Sequence, residues 1–318
     1  MKDLLRISDL APDDLVHLLS VADEAKAHPH AWKDMLEGDT VVTAYATPSI
    51  GTRLAFGSAI ARLGGVEQSV GPVGLQLEPG ETIEDRAAVV SRSARALVIR
   101  TFGDADLQHL AAASTIPVVN ARSHLHHPYR VVADLLTLRQ RFGPLAGLRV
   151  GYVGDGGNVA HSLLEACALA GIDITVATPP RYEPDRRIID GAERLALSAG
   201  SVVRTTHDPY AAVEGANAVC TDAWVRSDTP KAERAKRVRA LGPYRVDAAL
   251  MAMAAPDACF LHGLPAHRGE EVAADVLDGP RSLAYAQAEN RMFTAVAVLR
   301  CLLFGSLAGT TTRQLVRG

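Results

Sequence analysis

The chain has 318 residues, of which 48% are hydrophobic, and its formal net charge is −3. This length predicts two domains, and the small net charge gives no reason to expect a nucleic acid or an anionic membrane as a partner. The N-terminal residues are too charged for a signal peptide, and no run approaches the ~20 apolar residues of a transmembrane helix. The four cysteines lie far apart without a C-x-x-C spacing, which indicates reduced thiols. We therefore expect a cytoplasmic protein.

Patterns typical of strands and helices alternate along the first half of the chain. Asp9 and the run Pro12-Asp13-Asp14 resemble the caps of a helix that continues to about Ala27. Repeated strand–helix–strand units predict a parallel sheet with helices on both faces. In chain order, the segments that follow are the strand GDTVVTAYA, the helix TRLAFGSAIARLGG, the strand ALVIRTF, the helix DADLQHLAAAS and the strand IPVVNA.

The second half repeats this scheme after the segment PLAGLR, which marks the start of a second domain. A linking helix, VVADLLTLRQRF, precedes that segment, and an apolar helix, NRMFTAVAVLRCLLFG, lies near the end. The predicted division is 1–143 for the first domain, 144–290 for the second and 291–318 for the C-terminal helix. Between these bounds the sequence predicts the strand RVGYVGDGG, the helix NVAHSLLEACALAG and the strands DITVATP, ANAVCTDAW and DACFLHGLP.

The glycine turn Gly154-Asp155-Gly156-Gly157-Asn158 invites comparison with a dinucleotide-binding fingerprint. The G-x-G-x-x-G text is absent, and no acidic residue ends the strand that follows. We therefore do not expect a nucleotide cofactor at this turn.

Seven short motifs follow one another along the chain, and the first is a ready-made anion site. Residues 49–53 lie where a strand leads through a polar turn into a helix, whose first N–H groups are unpaired. The motifs are Ser49-Ile50-Gly51-Thr52-Arg53, Arg100-Thr101-Phe102-Gly103, His127-Pro128-Tyr129-Arg130, Gly154-Asp155-Gly156-Gly157-Asn158, Thr221-Asp222-Ala223-Trp224, His262-Gly263-Leu264-Pro265 and Glu289-Asn290-Arg291.

In this order and spacing, the motifs resemble those of the aspartate/ornithine carbamoyltransferase family, and most of all its ornithine branch. The resemblance implies two doubly wound α/β domains with parallel sheets, and a C-terminal helix that returns to the first domain. It also implies a homotrimer, small-molecule substrates and no need for a metal ion or cofactor.

The resemblance implies a carbamoyl-phosphate site built mainly from the first domain. Thr52, Arg100 and His127 are expected to act in catalysis, because they would point hydrogen-bond donors at the carbonyl oxygen. Gln76 is expected to reach the site of a neighbouring subunit. The full donor-binding set is Ser49, Ile50, Gly51, Thr52, Arg53, Gln76, Arg100, His127, Arg130, Leu264 and Arg291.

Several positions depart from the family's usual text at the donor site. The central arginine of its S-T-R-T-R loop is Gly51 here, and a glutamate on the helix that follows is Gly57. Arg130 replaces the glutamine that binds the carbamoyl NH₂ group, and a guanidinium can only donate hydrogen bonds. We predict that Arg130 fills part of the space left at Gly51 and binds the donor phosphate. A different donor, or a solvated arginine without a role, are the alternatives.

The acceptor site also departs from the family pattern. The acceptor residues implied by the resemblance are Asn158, Asp222, Arg226, Ser227, His262 and Gly263. Arg226-Ser227-Asp228 stands in place of an S-M-G loop, and His262-Gly263 in place of His-Cys. Glycine at 263 makes room for a bulkier acceptor, or leaves space that Arg226 fills. We therefore expect ornithine to be a poor acceptor.

The main hypothesis is a carbamoyltransferase that moves the carbamoyl group of carbamoyl phosphate, or of a close analogue, to an amino-acid-like amine other than ornithine. An ordinary ornithine carbamoyltransferase is the first alternative. A catalytically inactive paralogue that binds a ligand is the second, and related chemistry on another phosphorylated or acyl donor is the third. In each active form, one cleft should hold Arg53, Arg100, His127 and Asp222.

Overall fold

The computed structural model describes residues 1–101, 103–225 and 229–305. A four-stranded parallel sheet forms the first half, with the strand order β2-β1-β3-β4. Its elements in chain order are α1 (Pro12–Ala27), β1 (Thr40–Tyr45), α2 (Ile50–Arg62), β2 (Val66–Val70), α3 (Ile83–Ser93), β3 (Ala96–Arg100), α4 (Asp104–Ala113) and β4 (Val118–Arg122).

A second parallel sheet of five strands follows, with the order β7-β6-β5-β8-β9. The two doubly wound α/β domains predicted from the sequence are thus confirmed. The elements are α5 (Pro128–Phe142), β5 (Arg149–Val153), α6 (Asn158–Leu169), β6 (Asp173–Ala177), α7 (Arg186–Ala199), β7 (Val203–Thr206), α8 (Pro209–Val213), β8 (Ala218–Thr221), α9 (Lys231–Leu241), α10 (Ala248–Met253), β9 (Cys259–His262), α11 (Ala274–Leu277) and α12 (Ala284–Phe304).

Both sheets are covered by helices, so their central strands are buried and almost wholly apolar. All five residues of β3 and all four residues of β8 are buried, and so are the four residues of the edge strand β9. In each sheet the chain leaves two adjacent central strands in opposite directions, β1 and β3 in the first and β5 and β8 in the second. Ligands bind at such switch points, beyond the carboxyl ends of the strands. The ends that matter here are Tyr45, Arg100, Val153 and Thr221.

The C-terminal helix α12 returns to the first domain, where it packs against α1, α2 and α5. Lys26 of α1 pairs with Glu289 at 2.8 Å, and the Asn290 amide donates to Thr137 Oγ1 of α5 at 2.9 Å. The helix begins at Ala284, seven residues before the start predicted for the C-terminal segment. Among the helices described, none combines the length and the apolar content needed to cross a bilayer.

Candidate active site

The loop that precedes α2 forms the first wall of the site. Ser49 is extended and caps the helix, where its Oγ accepts from the Thr52 backbone N–H at 3.4 Å and donates to Thr52 Oγ1 at 2.8 Å. Thr52 is buried. The cap fixes the first turn of a 13-residue helix, whose free N–H groups and positive dipole end favour an anion.

Arg53 lies at the exposed rim of this wall rather than in its depth. Its guanidinium stacks 4.3 Å from the centre of the Tyr45 ring, and Nη1 donates to Ser69 Oγ at 3.2 Å. Tyr45 is the strand neighbour of Arg100. Arg53 therefore borders the predicted cleft without entering it.

Arg100 ends β3 at the switch point of the first sheet and is 8% exposed. Its Nε donates to Thr47 Oγ1 at 2.8 Å, and this bond joins the end of β3 to the loop before α2. A guanidinium held at the end of a buried strand presents its donors in a fixed direction.

His127 lies at the N-terminus of α5, between the two walls. It is 7% exposed, and its backbone N–H donates to Ser162 Oγ of α6 at 2.8 Å. Burial holds the pKa of His127 well below its ordinary value, and the nearby Arg130, Arg100 and Arg291 guanidiniums lower it further. The imidazole is therefore neutral near pH 7 and can donate one N–H to a ligand.

Asn158 and Asp222 form the opposite wall, at the carboxyl ends of β5 and β8. Asn158 is 1% exposed, and its Nδ2 donates to the Ser123 carbonyl at 2.7 Å. Asp222 accepts from Arg130 Nη1 at 2.7 Å, in an ion pair that is almost fully buried. The structure thus brings Arg100, His127 and Asp222 together as predicted.

The structure corrects the position predicted for Arg130. Its guanidinium lies against Asp222 rather than beside Gly51. Burial lowers the pKa of Arg130, but attraction to Asp222 and Asp134 outweighs burial and holds the pKa above its ordinary value. Arg130 is therefore charged and bound to the residue that was expected to read the acceptor.

Arg291 takes the place that the sequence analysis gave to Arg130. A Cβ atom added at Gly51 would lie 3.1 Å from Arg291 Nη1, so this guanidinium stands beside the loop. Arg291 is 7% exposed, and its Nη2 donates to the Gly263 carbonyl at 2.6 Å. The guanidinium that stands beside the loop is thus that of Arg291, which the family pattern already includes, and the charge lost at Gly51 is not replaced.

Two further glycines have charged neighbours where a side chain would stand. A Cβ at Gly57 would lie 2.7 Å from a carboxylate oxygen of Glu67 on β2, so an acidic group still occupies this corner. A Cβ at Gly263 would overlap the Cζ, Nε and Nη2 atoms of Arg130. Arg130 fills the space at Gly263, which the sequence analysis had assigned to a bulkier acceptor or to Arg226.

The other predicted site residues are scattered around this centre. Ile50 and Gln76 are exposed, and Leu264 is partly exposed. Arg226 and Ser227 lie outside the described residues. The His262 ring is enclosed, with Nε2 3.3 Å from Glu271 Oε1, so it faces this carboxylate. Within the described chain, only His267, Glu270 and Glu271 have the spacing of metal ligands, and they lie on that far side of His262.

A cavity of about 630 Å³ adjoins these walls, and three residues in or around the site were not predicted from the sequence. Thr47 orients Arg100, and Arg122 ends β4 close enough to lower the pKa of His127. Asp134 is buried and accepts from the Gln287 amide. Of these residues, only Thr47 could have been expected from the sequence, because it lies two residues before Ser49 in the same loop. Lining residues include Thr47, Arg122, Ser123, Asp155, Gly157 and Trp224.

Comparison with known proteins assigns both halves of the chain. Residues 2–140 match the carbamoyl-P binding domain of aspartate/ornithine carbamoyltransferases, and residues 146–302 match the Asp/Orn binding domain. The chain belongs to the aspartate/ornithine carbamoyltransferase family. The resemblance stated from the seven motifs is therefore confirmed.

Similar proteins of this carbamoyltransferase family extend over nearly the whole chain. The ornithine carbamoyltransferase of Parafrankia sp. is 44% identical over 309 residues, which cover 96% of this chain and 97% of that protein. The enzyme of the same name from Acidothermus cellulolyticus is 44% identical over 303 residues, which cover 95% of this chain and 97% of that protein. The structure of ornithine carbamoyltransferase from Pyrococcus furiosus matches with a TM-score of 0.91 and 40% sequence identity. The match covers 96% of this chain and 98% of that chain.

Proposed function

We propose that this carbamoyltransferase uses carbamoyl phosphate as its donor and transfers the carbamoyl group to an amine other than ornithine. The observation that carries the proposal is the buried pair of Arg130 with Asp222. By resemblance, an ornithine enzyme uses the aspartate at this position to read the amino acid. Here that carboxylate is already bound to a guanidinium.

The donor half of the proposal rests on the charges around His127. A phosphate dianion placed at the N-terminus of α2 meets the free N–H groups of the helix and the guanidinium of Arg291. Arg291 is the closing arginine of the family pattern and does not replace the arginine that the loop lacks, but it supplies charge and donors without Arg130. Charge-assisted bonds of this kind are the strong ones in phosphate binding.

The chemistry follows from the fixed donors. The lone pair of a neutral amine attacks the carbonyl carbon, and the carbonyl oxygen takes up the negative charge. Thr52, Arg100 and His127 donate to this oxyanion. The carbon–oxygen bond to phosphate then breaks, the nitrogen gives up one proton, and inorganic phosphate and an N-carbamoyl product leave. Positioning and charge stabilisation carry the reaction.

An ordinary ornithine carbamoyltransferase is the second candidate. It is favoured by the relatives of that name, which are 40–44% identical over almost the entire chain. For this candidate, ornithine would have to break the Arg130–Asp222 pair. Removing one partner from a buried ion pair costs about 3–5 kcal/mol, which the remaining acceptor contacts would have to supply.

A homotrimer is part of the same proposal. Gln76 is exposed, and among the described residues its side chain makes no hydrogen bond, although its carbonyl accepts from Arg86. Val73 and Leu77 flank it, and Ile50 and Leu54 lie one turn apart on α2; all four are exposed in the single chain. A neighbouring subunit would cover these apolar side chains and receive Gln76. We also propose a reducing, cytoplasmic setting, since all four cysteines are free and buried.

Calorimetry and kinetics together test the proposal. Carbamoyl phosphate should bind in the absence of any amine, and phosphate release should require an amine. With ornithine, kcat/KM should remain below the ordinary enzyme range of ~10⁴ M⁻¹s⁻¹. A value in that range would favour the second candidate. Failure to bind carbamoyl phosphate would favour a different donor or an inactive paralogue.

A further inference from the structure

We infer that the natural acceptor is a primary amine whose carrier bears an anionic group but no second ammonium group, and that Arg130 binds the anionic group. This inference rests on the proposed carbamoyl transfer and specifies its acceptor. Three observations support it. The carboxylates of Asp222 and Asp134 already accept hydrogen bonds, Arg130 Nε has no hydrogen-bond partner among the described residues, and the Arg130 guanidinium packs against Gly263.

The two carboxylates that interact with Arg130, those of Asp222 and Asp134, already accept hydrogen bonds. Asp222 accepts from Arg130 Nη1 at 2.7 Å, and Asp134 accepts from the Gln287 amide and lies close enough to Arg130 to raise its pKa. Both aspartates are at least nine-tenths buried. Neither aspartate that interacts with Arg130 is therefore left to receive the ammonium of an α-amino acid.

The cations of the same region outnumber these two acids. Arg100, Arg130 and Arg291 are each at most 8% exposed, and all three are near enough to lower the pKa of His127. A second ammonium on the acceptor would be brought among these guanidiniums without a carboxylate partner. The bound donor phosphate offsets the charge of Arg291, so the guanidinium that a second ammonium would meet is that of Arg130, whose partner Asp222 is already bound. Like charges in a partly dry cleft repel, and such an acceptor is disfavoured.

Arg130 retains a donor for an anionic group. Its Nε is buried and, within the described chain, has no hydrogen-bond partner. A buried N–H without a partner is unfavourable, and a carboxylate or another oxyanion is the acceptor that a guanidinium binds best. The guanidinium cannot retreat toward β9, because it already fills the space where a side chain at 263 would stand. It is therefore held in place for the ligand.

Three related amines separate the two features of this acceptor class. Ornithine carries a carboxylate and a second ammonium, 5-aminopentanoate lacks the second ammonium, and putrescine lacks the carboxylate. Each is given to the intact protein with saturating carbamoyl phosphate, and phosphate release and the carbamoylated product are measured. We expect kcat/KM for 5-aminopentanoate to exceed that for ornithine by tenfold or more, with putrescine the poorest. A kcat/KM for ornithine or for putrescine that equals or exceeds the value for 5-aminopentanoate would overturn the inference.

Two variants test the role of Arg130 itself. Arg130→Gln removes the bound guanidinium and releases Asp222, so the preference for 5-aminopentanoate over ornithine should fall tenfold or more. Arg141→Gln is the matched control, because Arg141 lies on the exposed end of the same helix and should leave the preference unchanged. If Arg130→Gln does not fold, Arg130→Lys keeps the charge and loses the fork, and should lower kcat/KM for 5-aminopentanoate with the order preserved. An unchanged kcat/KM in Arg130→Lys, or an unchanged preference in Arg130→Gln, would contradict the assignment.

The result also shows which claim has failed. If carbamoyl phosphate does not bind in calorimetry, the proposed function is wrong and the inference is wrong with it. If carbamoyl phosphate binds and ornithine is the best of the three acceptors, carbamoyl transfer stands and only the acceptor class is wrong.

Discussion

Arg130 shows how far a single residue can be interpreted from the sequence. Its place three residues after His127, on the first turn of a helix, puts it on the same side of α5 as His127. Its partner could not be predicted, because the choice between the phosphate loop and Asp222 depends on which group lies within reach. Gly263 decides the matter, since only a residue without Cβ leaves room for the guanidinium.

The packing of Arg130 against Gly263 predicts a coupled pair of substitutions. Gly263→Ala places a Cβ inside the guanidinium of Arg130, so the free energy of unfolding should fall by about 1–3 kcal/mol, the usual effect of overpacking. In an Arg130→Gln background, the shorter side chain should relieve most of the added loss. Urea unfolding of the four proteins measures the coupling. Equal losses from Gly263→Ala in both backgrounds would show that the two residues do not compete for space.

His127 is predicted to act as a neutral donor to the carbonyl oxygen. His127→Ala should lower kcat by about 10²–10³, the usual effect of removing one oxyanion donor. The pKa of His127 lies well below its ordinary value, because burial and four nearby guanidiniums disfavour the imidazolium. Its protonation should therefore leave no inflection in kcat between pH 6.5 and 8. A folded His127→Ala variant with the parent's kcat would remove His127 from the mechanism.

At the scale of elements, the sequence predicted seven of the nine strands that the structure describes and missed two of the four edge strands. The central strands β1, β3, β5 and β8 are apolar because helices cover both of their faces, and the edge strands β4 and β9 are also largely buried, so their apolar runs stand out in a sequence. Residues 66–70 and 203–206 form the edge strands β2 and β7, and none of their residues is fully buried. These two edge strands carry polar residues and lack a continuous apolar run, so the pattern that marks a buried strand is absent.

Helix α6 predicts a dependence of stability on pH that has a definite sign. Glu165 is buried behind His126, and burial raises its pKa to about 7 from an ordinary value of 4.5. Between these values the folded state holds a proton that the unfolded state has lost, so the contribution of Glu165 to stability falls as pH rises. Over this window, the loss amounts to about 3 kcal/mol.

Glu165→Gln isolates this contribution from that of His126. Burial lowers the pKa of His126 to about 4, so the contribution of this histidine to stability instead falls as pH drops below its ordinary pKa of 6.5. The two trends oppose each other in the parent. The stability of Glu165→Gln relative to the parent should rise by about 3 kcal/mol between pH 4.5 and 7.5, measured by urea unfolding. A difference that does not change with pH would mean that Glu165 is ionised in the folded protein.

At the scale of the whole molecule, the two sheets direct the carboxyl ends of their central strands into one cleft. The motif order predicted this arrangement because six of the seven motifs follow a strand or begin a helix at that edge, while Glu289-Asn290-Arg291 lies within α12. The assembly of several chains was predicted only through the resemblance, since Gln76 and the apolar residues around it have no role within one subunit that a sequence could reveal.

Mixing two inactive variants tests the shared site. Gln76→Ala should impair the site of the neighbouring subunit, and His127→Ala should impair its own. If both are dissociated and reassembled together, mixed trimers contain sites with intact Gln76 and intact His127, and activity should return to a fraction of the parent's. Light scattering should give the mass of three chains throughout. No recovery, or a monomer at micromolar concentration, would place Gln76 outside the site.

The most direct test of the account is the activity of the double variant Arg130→Gln, Gly263→Cys with ornithine. These changes restore both residues of the ornithine branch, empty the space beside residue 263 and free Asp222. We predict that kcat/KM for ornithine rises about 10²-fold or more over the parent, as expected when a buried polar group regains its ligand. A folded double variant that binds carbamoyl phosphate and uses ornithine no better than the parent would contradict the claim that Arg130 excludes ornithine.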